Sequence, residues 1–275
     1  MIARKMLVGL GLAGVLASGP LPASAQKAAG TESSPPEPIV TDRPTVGASA
    51  EVVPVQSFQL EAGYLFSRSG SNTDATDTHV LPDLLARYGI ARAVEVRLVT
   101  AGWTIQKTSS GEVSGFSDIS VGAKIALAEE RDARPQMGLL VELSLPSGAE
   151  EFTNDYVIPK VLFLGANSLG HRLGLTYNIG PTLVTEDRNG ETDTNIDLNY
   201  AVALSRPVGG GATLFGELYG TFAGGSDRSN SHNFQAGITL LLSPVVQIDV
   251  RGGVGLSGSE LDWLVGAGLA FRVPR

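Results

Sequence analysis

From Ser57 almost to the C-terminus, apolar residues fall on every second position. In "FQLEAGYLF", Phe58, Leu60, Ala62, Tyr64 and Phe66 alternate with Gln59, Glu61 and Gly63. In "DISVGAKIAL", Ile119, Val121, Ala123 and Ile125 alternate with Asp118, Ser120, Gly122 and Lys124. The segments "MGLLVELSL", "RLGLTYNIGPTL", "NIDLNYAVAL", "NFQAGITLLL" and "VQIDVRGGV" repeat the scheme. A period of two sends successive side chains to opposite faces of a strand, so the chain is predicted to be β throughout. The pattern divides into strands at about 57–67, 79–88, 94–104, 116–128, 135–145, 156–166, 172–184, 194–205, 212–222, 232–242, 245–256 and 261–273.

The links between these strands alternate in length. Polar stretches such as "RSGSNTDATDT", "IQKTSSGEVSG", "PSGAEEFTND", "TEDRNGETD" and "AGGSDRSNS" follow the odd strands, and tight links such as "GIARA", "NSLGH" and "SP" follow the even ones. The last link on the long side, "SGSE", is the exception. Long loops at one end and short turns at the other describe an up-and-down meander with two distinct ends.

Charge decides which face of this sheet is wet. In "LPDLLARYGIARAVEVRLVT", Leu84, Ala86, Tyr88, Val94, Val96 and Leu98 share a face, and Asp83, Arg87, Glu95 and Arg97 lie on the other. A soluble sandwich would turn those charges to bulk water, whereas an outer-membrane barrel turns them into its lumen and gives the apolar set to lipid. The strands are long enough for the second case: at about 3.3 Å per residue and a tilt of about 45°, ten residues cover the apolar band of about 25 Å. Strands of soluble sheets are usually about five or six residues. The polar set is also rich in Gly, Ala, Ser and Asn, as a crowded interior requires, and an open meander would leave two unpaired edges. The predicted fold is therefore all-β, a transmembrane up-and-down antiparallel β-barrel of about 12 strands over residues 57–275. Near its end, Gly266, Leu269 and Phe271 match the Gly-x-x-apolar-x-aromatic spacing presented to the barrel-insertion machinery.

The N-terminal residues carry an address. Arg4 and Lys5 precede the apolar run Met6 to Ala17, and Ala23-Ser24-Ala25 supplies the small-x-small cleavage signature, so residues 1–25 are predicted to be a cleaved signal peptide. That apolar run is too short to span a bilayer. Residues 26–56, beginning "QKAAGTESSPPEPIV", are small, polar and Pro-rich and are expected to form an extended arm or linker. Loss of Arg4 and Lys5 takes the net charge from −8 to −10, which excludes the counterion-releasing contacts of nucleic-acid binding. The absence of cysteine excludes disulfides, thiol catalysis and cysteine-ligated zinc, and no metal or other cofactor is expected.

The motifs "TDRP", "SFQLEAGY", "LPDLLARYGI…VEVRL", "GFSDISVGAKIALAEE" and "ELSLPSG" resemble the outer-membrane transporter family described as putative MetA-pathway of phenol degradation, clearly from about Thr41 to Glu217 and by pattern beyond. The resemblance implies a barrel in the cell outer membrane that passes small, often aromatic or hydrophobic, compounds.

The predicted inward set is Glu61, Asp83, Arg87, Glu95, Arg97, Asp118, Lys124, Glu142, Lys160, Asp197, Glu217, Asp249 and Arg251, eight acidic and five basic residues. Groups of this kind cannot be buried alone, so they must face water or one another. Two readings stay open: an ionic ladder that sets the selectivity of a pore, or a salt-bridged plug that closes a narrow barrel. Asp42 and Arg43 in "TDRPT" either fold into the lumen and pair with that ladder or belong to a periplasmic tether. The expected function is passive passage of small-molecule cargo, with a closed or laterally releasing barrel for hydrophobic molecules as the alternative. A third reading, a surface hydrolase, would use His79 and His232 near the long-loop end, with Asp74, Asp77, Asp227 and Ser229 nearby in sequence. No spacing specific to such an enzyme appears, and no catalytic residue is assigned. "DRNGETD" lacks the oxygen spacing of a calcium loop, and Asn189-Gly190 reads as a turn. The loop acids are expected to form a solvated rim at the lipid and lipopolysaccharide surface.

Overall fold

The computed structural model describes residues 37–70, 75–170, 172–188, 191–225, 228–258 and 261–274. The predicted signal peptide, residues 26–36 of the expected arm, Asp74, His171, the predicted turn at Asn189-Gly190 and Asp227 lie outside the described residues. The strands are β1 (Phe58–Ser69), β2 (Thr76–Ala91), β3 (Val94–Thr100), β4 (Trp103–Thr108), β5 (Gly111–Phe116), β6 (Ile119–Ala128), β7 (Gln136–Leu145), β8 (Ile158–Ser168), β9 (Gly174–Arg188), β10 (Glu191–Gly209), β11 (Ala212–Phe222), β12 (Ser231–Ser243), β13 (Val246–Gly255) and β14 (Leu261–Val273). Neighbours pair antiparallel, and β1 pairs with both β2 and β14, which closes the sheet. β3 with β4, and β5 with β6, are halves of two interrupted staves, so the barrel has twelve. Closure leaves no seam between first and last strands, as lipid demands of a spanning sheet.

The two faces divide as the alternation predicts. Ile196, Val202, Leu214, Leu218, Val250 and Leu269 point outward and are exposed, Ile196 by 64%. Glu61, Glu95 and Lys124 point inward and have no exposure at all, 0% each. Two aromatic groups mark the outer wall toward the long-loop end. Phe66 meets His79 and Trp263 at ring-centre distances of 5.0 Å each, and Phe222 meets His232 at 5.2 Å. Such rings form the interfacial girdle of a membrane barrel.

The interruption is where the structure departs from the sequence reading. Residues 105–115, expected as a loop, instead belong largely to the β4–β5 hairpin, held at its base by Trp103 against Phe116 with centres 5.0 Å apart. Pro82 in β2 has no N–H to give, and the β1–β2 register slips beside it, from Gly63↔Asp83 to Leu65↔Val80. Gly102 turns the chain there with φ +58°, and a Cβ at that position would sit 2.4 Å from the Pro82 carbonyl oxygen. A side chain at Gly102 would therefore be strained by both backbone and space. Beyond the kink β5 pairs with β4, and among the described residues no strand takes its other edge. The segment 147–154, with a 3-10 turn at Glu150–Phe152, lies against it instead.

Candidate functional site in the barrel lumen

Residues 37–56 thread the lumen as a re-entrant arm. Ile39 N–H donates to Pro244 O at the short-turn end, and Gln56 N–H donates to Gly89 O at the same end. Between these anchors the chain rises to a tip at Val46-Gly47 and descends again. An extended segment without a ladder must satisfy its backbone elsewhere, and here the barrel wall does so with side chains. Glu61 on β1 accepts the N–H groups of Asp42 and Arg43 at 3.0 and 2.8 Å. Glu217 on β11 accepts those of Val46 and Gly47, each at 2.9 Å. Asn178 on β9 takes the Ala48 N–H at 2.6 Å and returns a bond to its carbonyl at 3.0 Å. Glu95 on β3 accepts from Val53 N–H at 2.7 Å. Arg87 donates to the carbonyls of Val40 and Glu51, and Arg251 and Gln235 donate to that of Pro44.

Two ionic clusters surround the rising leg. The first is centred on Asp42, whose carboxylate accepts from Lys124 Nζ at 2.8 and 3.0 Å, Arg97 Nη1 at 2.9 Å, and the Ser49 N–H and hydroxyl at 2.8 and 2.9 Å. Arg87 holds Glu95 with Nε at 2.8 Å and Glu61 with Nη1 at 3.1 Å. Glu142 bridges Arg97 at 3.1 Å and Lys160 at 2.5 Å. The register explains the assembly, because Glu95 faces Lys124, Arg87 faces Arg97 and Glu142 faces Lys160 across adjacent strands. The second cluster joins Arg43 to Asp83 and to Asp249 (3.6 Å), and Arg251 to Asp83 (3.3 Å). Gly63 and Gly268 face each other across β1–β14, and a Cβ on either would strike the Arg43 guanidinium, at 2.2 and 2.8 Å respectively. That glycine pair is the seat of Arg43.

Of the predicted inward residues, Glu61, Asp83, Arg87, Glu95, Arg97, Lys124, Glu142, Lys160, Glu217, Asp249 and Arg251 thus meet one another or the arm, with Asp42 and Arg43 at the centre. Asp197 lies nearer the long-loop end, where it pairs with Arg228 and accepts the Gly224 N–H. Asp118 is a correction: it is no rung of the ladder. It sits between β5 and β6 and binds the 147–154 segment, accepting from Ser147 N–H at 2.9 Å and from Gly148 N–H, Thr153 Oγ1 and Asn154 N–H at 2.8 Å each. Partial burial alone would raise its pKa, but those hydrogen bonds, led by Asn154, hold it below the ordinary carboxylate range.

The neutral part of the site was not singled out from the sequence. Gln59, Asn178, Gln235 and Gln247 all touch the arm. Leu140, Leu162 and Leu164 form an apolar seat for Ala48 and Ala50 inside the lumen. The signal was present, since Gln59 stands two residues from Glu61 and Leu140 two from Glu142, on the same inward parity.

The arm divides the lumen. On the long-loop side are cavities of about 250 Å³, bordered by Asp42, Arg97, Glu142 and Leu140 among others, and about 160 Å³, bordered by Asn178, Asn199 and Tyr219. Val46 at the tip borders both. On the short-turn side is one of about 420 Å³, bordered by Ile39, Thr41, Ser205, Phe215 and Gln247. His79 and His232, the candidates for surface chemistry, do not meet. They stand on β2 and β12, and Nδ1 of each bonds a tyrosine, Tyr64 at 2.7 Å and Tyr200 at 2.9 Å.

Among solved structures, an outer membrane channel from Pseudomonas putida F1 superimposes with a TM-score of 0.67 at 14% identity, over 81% of this chain and 97% of that one. The NanC porin gives 0.54 at 8% identity, over 78% and 98% of the two chains. The translocator domain of the autotransporter NalP from Neisseria meningitidis gives 0.50 at 11%, over 78% and 87%. At these identities the likeness is one of fold, and the fold is that of outer-membrane barrels. No curated protein matches the sequence. The family described as "Putative MetA-pathway of phenol degradation" matches residues 41–273, beginning at Thr41 of the arm and ending at the last residue of β14, and the chain belongs to that family.

Proposed function

We propose that the protein is an outer-membrane channel for passive passage of small compounds, with the arm as its gate. One observation carries the reading: between its buried ends at Ile39 and Val53, the arm that separates the inner and outer cavities is held by hydrogen bonds and ion pairs to the wall, with Ala48 and Ala50 packed on an apolar seat. Such contacts can be exchanged for contacts with water or solute, at about 0.5–1.5 kcal/mol for a neutral pair and about 1.5–3 kcal/mol where one partner is charged. A plug so held can leave without disturbing the backbone ladder of the wall. By the usual asymmetry of such barrels, the long-loop end faces outside and the short turns face the periplasm, so a solute would enter at the cavity bordered by Arg97 and Glu142. The family description, and the outer membrane channel and porin that share the fold, support the same reading. The test is planar-bilayer conductance of the refolded chain without its signal peptide. Small steps of reproducible size, altered by Asp83→Ala, are expected. A barrel that inserts but stays silent would overturn passage through the lumen.

A second reading, release of hydrophobic molecules through the wall, is favoured by the break at Gly102 and the edge of β5 that no described strand covers. Silent barrels that still transfer an apolar dye to lipid would establish it.

A further inference from the structure

We propose that the cage formed by Lys124 and Arg97 is a binding site for a small amphiphilic carboxylate, which the Asp42 carboxylate of the arm occupies at rest and which cargo enters by displacing Asp42. The inference rests on the arm-gated passage argued above and names the solute class it would admit.

Charge closure supports it first. The cluster around Asp42 contains four cations, Arg87, Arg97, Lys124 and Lys160, and four carboxylates, Asp42, Glu61, Glu95 and Glu142. Only one of the eight, Asp42, belongs to the arm. Withdrawal of Asp42 leaves the wall side of this cluster with one positive charge in surplus, in a place where an unpaired charge is costly. The groups that lose their nearest carboxylate are Lys124 and Arg97, which give Asp42 three hydrogen bonds of 2.8–3.0 Å and keep Glu95 at 3.7 Å and Glu142 at 3.1 Å respectively. Glu61, Glu95 and Glu142 keep Arg87, Arg97 and Lys160 within the wall. A free carboxylate can take the same bonds in the same geometry, whereas a neutral amide cannot restore the balance.

The second support is the shape of what lies beside the cage. Asp42 and Arg97 border the outer cavity of about 250 Å³, and the same cavity is bordered by Leu85, Val99, Leu140 and Leu162. Arg97 at the cavity wall, Lys124 buried behind Asp42, and aliphatic side chains alongside suit a solute with a short apolar body and an anionic head that takes the place of the Asp42 carboxylate. The neighbouring pocket works the other way: without Arg43, the pair Asp83 and Asp249 would outnumber Arg251. The head is therefore directed to the Lys124 side.

Binding can be read apart from conductance. The full barrel in detergent micelles is titrated with sodium hexanoate, and with hexanamide as its neutral match, by isothermal calorimetry. Asp42→Asn is expected to bind hexanoate at least tenfold more tightly than the wild type, with no change for hexanamide. Asp42→Glu returns the affinity to the wild-type level, and adding Lys124→Gln to Asp42→Asn removes the gain. Heat-shifted migration in gels reports that each variant is folded. In the wild type, which needs no variant to fold, saturating hexanoate should speed hydrogen exchange at the Asp42, Arg43 and Ser49 amides while hexanamide does not. Equal binding of the acid and the amide by Asp42→Asn, a gain that survives Lys124→Gln, or unchanged arm exchange in the wild type would each overturn the proposal. A conducting barrel that binds no carboxylate refutes only this inference, and a binding barrel that never conducts refutes only passage.

Discussion

Replacing Glu61 by glutamine tests whether the arm is a separable plug. Glu61 has no exposure, 0%, and its carboxylate takes two consecutive backbone N–H groups of the arm, at 3.0 and 2.8 Å, while pairing with Arg87 at 3.1 Å. Glutamine is nearly isosteric but uncharged, and one of its two ends is a donor. Both arm N–H groups share Oε2, while Oε1 takes Arg87 and Gln59, so the glutamine N–H must be aimed either at the two arm amides or at those two donors. Hydrogen bonds to a charged group contribute about 1.5–3 kcal/mol each, so weakening of both arm bonds by loss of the charge, with a donor set against a donor, costs about 3 kcal/mol. A difference of that size multiplies the undocked population of the arm by about 10². The ladder of β1 to β14 does not pass through the arm, so the loss should appear as local opening rather than melting. Hydrogen exchange read by mass spectrometry separates the two. The Asp42 and Arg43 amides should exchange about 10² times faster in Glu61→Gln, with the amides of β1 and β14 unchanged and open-channel occupancy raised in bilayers. Arm exchange within a few-fold of wild type would show that Glu61 is no clamp. Loss of the heat-shifted band would show that the arm is part of the core.

The same assays address two further positions. In Gly268→Ala the new Cβ would lie 2.7 Å from Asp249 Oδ2 and 2.8 Å from the Arg43 guanidinium, all movable side-chain ends, so Arg43 is expected to leave its seat and the exchange of neighbouring arm amides to rise while the barrel folds normally. Unchanged exchange would refute the seat. For Asp118 the hydrogen bonds from segment 147–154 hold the folded pKa below the unfolded one, so its contribution is complete above the unfolded value of about 4 and is lost as the pH falls below it. Asp118→Asn should therefore free the 147–154 segment at neutral pH, read by exchange of the Gly148 and Asn154 amides, whereas the wild type should release it only in acid.

The wall of the barrel was legible in the sequence because one physical rule, alternate sides for alternate residues, writes it into every strand. Phe58 to Phe66 and Val246 to Val254 can be assigned a face without a partner in view. The arm was not legible in that way. "TDRPTVGASAEVVPV" has no period, and its structure depends on Glu61, Asn178, Glu95 and Glu217, which lie up to 171 residues away and act as side-chain acceptors for its backbone. Asp118 was assigned to the lumen because it continues the parity of Lys124, but the interruption at Ser117 breaks the stave just before it. Parity carries no information across a kink. The kink itself had signals, Pro82 and Gly102, yet these lie on different strands and are brought together only by the β2 register.

The contrast between wall and arm bears on how a lumen of this kind can be both closed and usable. Apart from β5, the described wall strands each pair with at least two neighbours through main-chain bonds that lipid cannot replace. Apart from the apolar burial of residues such as Ala48 and Ala50, the arm contacts are of a sort that water or solute can replace, and most use a charged wall side chain. Closure and recognition then share the same groups. Lys124 and Arg97 hold Asp42, as Asp83 and Asp249 hold Arg43, and under the proposed gating these same groups would meet the solute once the arm has left. A solute lacking the charge of Asp42 gains nothing from displacing it, since the cage would be left unbalanced. One that carries that charge substitutes for the plug contact by contact. Selectivity in such a barrel would arise from which solutes can replace the arm, and the width of the lumen would set only the upper limit on their size.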